Sequence, residues 1–81
     1  MTLNKAFALR ITEILIKRNM SKYRLEKLSG LSHSALRHIF NENNNDVKLS
    51  TVAKVANAFG LTLHEFFDSD VFGLNKIDFE L

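Results

Sequence analysis

The chain predicts an all-α domain of five helices with a short C-terminal tail, and three observations carry that expectation. Apolar residues recur at helical spacing, as in Phe7, Ile11, Ile14 and Leu15 and again in Val52, Val55, Ala56 and Phe59. Each such stretch is framed by start and stop residues: Ser21, Ser32 and Thr62 before, Gly30 and Gly60 after. No proline interrupts any of them.

The first helix is expected over residues 4 to 18, and Asn19-Met20 breaks it. Ser21 is a natural N-cap for the second, whose apolar side is Leu25, Leu28 and the small Ser29. Gly30 suits a left-handed stop because it lacks the Cβ that penalises that conformation. Leu31 then plugs the core, and Ser32 caps a third helix over residues 33 to 41. Asn43-Asn44-Asn45-Asp46 reads as a loop, since these side chains compete for local backbone groups. A fourth helix is expected from 49 to 59, stopping at Gly60. Thr62-Leu63-His64-Glu65 has the form of a capping box for a short fifth helix ending near Asp68. Beyond it, Ile77-Asp78-Phe79-Glu80-Leu81 alternates apolar and polar residues, a strand signal in a tail that must pair or pack against something. The chain thus divides into one domain over 1–68 and a tail over 69–81.

Bulk properties narrow the classes. With 81 residues, 46% hydrophobic and 25% charged, the chain is an ordinary single globular domain. It has no cysteine, which excludes a disulfide scaffold and Cys-based metal sites and fits a reducing compartment. Lys5, Arg10 and Glu13 interrupt the apolar N-terminus, so neither a signal peptide nor a membrane span is expected, and the expected location is the cytoplasm. The net charge of +2 is unevenly distributed. Residues 1 to 41 hold eight lysines and arginines against Glu13 and Glu26, whereas residues 42 to 81 hold three lysines against seven acids. A basic half of that kind suggests a face turned to a polyanion.

The third helix carries the functional signal. On a helical wheel of about 100° per residue starting at His33, the residues His33, Arg37, Asn41, Ser34 and His38 fall between roughly 0° and 140°. Ala35, Ile39, Leu36 and Phe40 fall between roughly 200° and 340°. One arc anchors the helix to a core. The other offers hydrogen-bonding groups and a cation with no carboxylate, which suits the acceptor-rich major groove of DNA and its phosphates. Two short helices joined by a tight Gly-containing turn form a helix-turn-helix, with the second helix projecting.

Residues 20 to 67 resemble the phage lambda repressor and Cro-like helix-turn-helix family, the xenobiotic-response-element type of transcriptional regulator. The pattern that carries the resemblance is Leu25, Ser29-Gly30-Leu31-Ser32, Leu36, Ile39, Asn41, Leu49, Val52, Ala56, Phe59-Gly60-Leu61, Leu63, Phe66 and Phe67. The resemblance implies a compact five-helix domain binding double-stranded operator DNA, usually as a homodimer and most often as a repressor. It implies base contacts from His33, Ser34 and His38, with Arg37 either reaching a guanine bidentately or clamping a phosphate. It implies phosphate contacts from Ser21 and Lys22, where helix-start amides favour an anion, and from Asn41 at the end of the reading helix. Tyr23, Lys27 and Met20 would add phosphate or packing contacts, and Asn43 a phosphate contact from the following loop. Two positions depart from the family: Glu42 stands where glycine is frequent, and Lys48 where a small capping residue is usual before the fourth helix.

Other motifs do not hold. GLSHS lacks the closing glycine and the preceding strand of a nucleophile elbow. His64-Glu65 is followed by Asp68 where a zinc motif needs its second histidine. His33 and His38 diverge by about 140° on a helix, a poor pair of metal ligands. The NENNND run lacks the glycine and terminal glutamate of a calcium loop. No enzyme activity, metal or cofactor is expected. Two further functions share this fold: a protein-interaction module with a protein partner, and the DNA-binding antitoxin of a toxin pair. Apolar residues outside the five-helix core (Leu9 and Ile16 on the back of helix one, and Val71, Phe72, Leu74, Ile77, Phe79 and Leu81 in the tail) leave two outcomes open. Either the tail folds over helix one, or two chains meet there with the tail as a dimerisation element.

Overall fold

Helical spacing becomes burial in all five helices of the computed structural model, which describes residues 1–41 and 46–78. Helix α1 spans Leu3–Lys17, α2 Lys22–Ser29, α3 His33–Phe40, α4 Leu49–Ala58 and α5 Leu63–Phe67. Among the described residues there is no strand. The core is one cluster to which every helix contributes: Phe7, Ile11, Ile14 and Leu15 from α1, Leu25 from α2, Leu36 and Ile39 from α3, Val52, Val55 and Ala56 from α4 with Phe59 at its end, and Phe66 from α5. Packing pairs α1 with α3, α2 with α4, and α4 with α5. The reading-helix candidate is therefore seated on the longest helix.

The helix ends follow from local chemistry. Thr2, Ser21, Ser32 and Thr62 each accept a hydrogen bond from the backbone N–H three residues on. Asn19 takes the left-handed region with φ 51. Asn19 N–H donates to Ile16 and Met20 N–H to Leu15, which closes α1 in a Schellman motif while Met20 packs on the core. Gly60 does the same for α4, with φ 71 and Leu61 N–H donating to Ala56. Lys48 precedes α4 without a side-chain cap, in line with its being an unusual residue there.

Two expectations change. Leu28 is 42% exposed rather than core, because α2 is short and turns only Leu25 fully inward against α4. Leu31, half-buried just past the turn, packs on the core instead. The tail is not a strand where it is described. Asp70–Phe72 form a 3-10 turn, and Phe72 sits 5.0 Å from Phe67 and 5.9 Å from Phe7, centroid to centroid. Asp78 N–H then donates to Met1 C=O, and the Met1 ammonium donates to Lys76 C=O and meets the Asp78 carboxylate at 2.9 Å. The tail folds over α1. Phe79, Glu80 and Leu81, the rest of the expected strand, lie outside the described residues.

Candidate nucleic-acid interface

Helix α3 stands as a ridge between two grooves. On the α2 side a groove of about 760 Å³ is lined by Lys22, His33, Ser34, Arg37, His38 and Asn41, together with Glu26, Leu36 and Phe40. On the α4 side a groove of about 550 Å³ is lined by Ser34, Ala35, His38, Ile39 and residues Asp46 to Lys48 and Thr51. Leu36 and Ile39 are buried, whereas His33, Ser34, Arg37, His38 and Asn41 are exposed. The apolar and polar arcs of the wheel are thus the inner and outer faces of the helix.

Six of the ten expected contact residues meet in the first groove: Lys22, His33, Ser34, Arg37, His38 and Asn41. Lys22 opens α2, and its ammonium lies 4.0 Å from the centroid of the Phe40 ring, within cation–π range. Its four-carbon stem is thereby held across the gap between α2 and α3. Ser21 is exposed beside it, and its hydroxyl accepts from Arg24 N–H as the cap of α2. Tyr23 and Lys27 lie outside the groove lining, both exposed, with the Lys27 ammonium 5.1 Å from the Tyr23 ring centroid. Asn43, and with it Glu42, lies outside the described residues. Met20 is half-buried against the core, a packing position.

Two residues of this groove escaped the sequence-based reading. Phe40 is a platform for Lys22 as well as an anchor, and its wheel position at the edge of the apolar arc was the available signal. Glu26 counted only as an acid in a basic half, yet its carboxylate lies 3.2 Å from His33 Nδ1. The turn fixes its place: Gly30 N–H and the Ser29 hydroxyl both donate to Glu26 C=O. Gly30 has φ 74, and a Cβ there would meet no atom within 4 Å, so backbone conformation alone selects glycine.

The end of α3 is tied to the body as well. Asn4, buried at the start of α1, donates its amide N–H to Ile39 C=O at 3.0 Å. That carbonyl belongs to the last turn of α3, whose acceptors have no partner within the helix.

Comparison with known proteins agrees with this fold. The family model of the Cro/C1-type HTH DNA-binding domain matches residues 10–70. The fold is similar to the crystal structure of prophage Lp1 protein 11, with a TM-score of 0.82 and 23% identity over 91% of this chain and 97% of that one. No match was found among curated proteins. Among the described residues, no helix is long and apolar enough to cross a membrane.

Proposed function

The chain belongs to the Cro/C1-type helix-turn-helix DNA-binding family, and from that premise we propose that it is a sequence-specific transcriptional regulator, a repressor, reading operator DNA in the major groove with α3. One observation carries the proposal. The face of α3 turned away from the core presents His33, Ser34, Arg37 and His38 and no carboxylate, whereas the inward face is closed by Leu36 and Ile39. Hydrogen-bonding side chains without a negative charge, on a projecting helix, are what base edges and phosphates require. Lys22 and the start of α2 would hold a backbone phosphate, with Asn41 positioning a second. Ser21, Tyr23, Lys27 and Asn43 would extend the phosphate track on either side.

A two-turn helix reads few bases, so the protein would act as a homodimer on two half-sites about 34 Å apart. The test is a genomic pull-down followed by titration of the recovered duplex in salt. The recovered fragments should share an inverted repeat. With about three to five phosphates neutralised per half-site, log Kd against log salt should have a slope of magnitude about 5 to 9. A slope near zero on every fragment would favour a protein-interaction module instead.

A further inference from the structure

A neutral imidazole carries one proton on either ring nitrogen, and the partner of one nitrogen decides the state of the other. His33 opens α3 on the groove side with Nδ1 3.2 Å from Glu26 Oε2. The two side chains differ in freedom: that of His33 is 71% exposed, that of Glu26 only 17%. The backbone of Glu26 is pinned as well, since its carbonyl accepts from Gly30 and Ser29 at the turn. The carboxylate is the fixed member of the pair, and the ring adjusts to it. A carboxylate only accepts. Neutral His33 keeps the contact by placing its proton on Nδ1, which leaves Nε2 as a bare lone pair.

We propose, on the premise that α3 is the reading helix, that Glu26 is a specificity-determining residue: it holds His33 as the Nδ1–H tautomer, so that Nε2 meets the DNA as an acceptor. An acceptor in the major groove selects a base edge bearing an amino group, adenine N6 or cytosine N4. A ring released from Glu26 can carry its proton on Nε2 and donate, which selects guanine N7 or O6 or thymine O4. A doubly protonated ring has two donors and no acceptor, so it would select guanine at the same position. The charged and titratable groups sharing the groove with His33 are Glu26 and Lys22 from α2 and Arg37 and His38 from α3. Of these, Glu26 is the group placed against His33, with its carboxylate 3.2 Å from Nδ1.

The tautomer is measurable without DNA. Imidazole nitrogen NMR of the full chain at pH 8, assigned with His33→Gln, should show His33 protonated on Nδ1. Glu26→Ala should move the proton to Nε2, and Glu26→Gln, whose amide both donates and accepts, should give a mixture. An Nε2–H ring in the wild type, or a tautomer unchanged in Glu26→Ala, overturns the lock. Selection from randomised duplexes at pH 8 then tests its consequence. The wild type should prefer adenine or cytosine at one position by about tenfold, and Glu26→Ala should reduce this to about twofold or turn it to guanine. An unchanged preference in a folded Glu26→Ala, checked by circular dichroism, overturns the specificity role. If the wild type selects no duplex, that role falls with the DNA-reading proposal, while the tautomer result decides the lock by itself.

Discussion

Five of the arginines and lysines of the basic half separate by what they touch. Arg10 donates from Nε to Phe66 C=O at 2.6 Å and from a terminal nitrogen to Glu65 C=O at 2.9 Å, closing the carbonyl end of α5. Arg18 donates to Phe59 C=O at the end of α4 and lies over the Phe59 ring. Both satisfy acceptors that a helix end leaves open, the role cations play at C-termini. Lys22, Lys27 and Arg37 have no such employment and stay on the outer surface. Counting charge along the sequence located the basic half but did not separate these roles, because the carbonyls that Arg10 meets are more than fifty residues away. Arg10→Ala should therefore cost about 1–2 kcal/mol in urea unfolding. DNA affinity, measured well below the melting temperature, should not change. A variant of normal stability and weakened binding would instead put Arg10 on the DNA face.

Helix boundaries and faces were legible at the scale of the element because they depend on neighbours within four residues. The arcs of α3, the caps at Ser21, Ser32 and Thr62, and the stops at Gly30 and Gly60 all follow from such local rules. At Gly30, a side chain meets empty space but a strained backbone. Gly30→Ala should cost about 1–2 kcal/mol through φ alone. Gly30→Asn should recover part of it, as the left-handed Asn19 shows that asparagine is tolerated in this fold. A loss well beyond that range would mean that the turn is closed by packing. The α5 capping box supplies a pH test. Thr62 N–H donates to the Glu65 carboxylate at 2.9 Å. That bond first, then the Thr62 hydroxyl and the nearby His64, holds the Glu65 pKa below its ordinary value of 4.5. A carboxyl depressed in the folded state stabilises it above that ordinary value, and the contribution is lost as pH falls through the folded value. Acid unfolding of Glu65→Gln should accordingly be less steep below about pH 4.5 than that of the wild type. Equal steepness would remove Glu65 from the acid response.

For the whole molecule, what local rules could not supply is where distant segments meet. The alternation at residues 77 to 81 is a genuine strand signal, yet Ile77 and Asp78 form no strand. Phe72 joins Phe7, Phe66 and Phe67 in a ring cluster with centroids 5.0 to 6.3 Å apart, and that packing directs the tail along α1. The apolar surplus expected at a dimer interface is thus partly spent within one chain, although Ile16 and Leu74 stay 75% and 91% exposed. The pairing of Glu26 with His33 was hidden for the same reason, since it depends on how α2 and α3 cross the turn. Both grooves beside α3 arise at this scale, and they leave the helix standing as a ridge. In the proposed function that ridge reads bases while the start of α2 grips phosphate. Its most direct test is the affinity of wild type, Lys22→Ala and His38→Ala for a panel of single-base operator variants. Lys22→Ala should weaken every duplex about equally and lower the salt slope by about one, whereas His38→Ala should lose about 1–3 kcal/mol of discrimination at one base pair. Wild-type selectivity in His38→Ala, together with an altered base preference in Lys22→Ala, would contradict it.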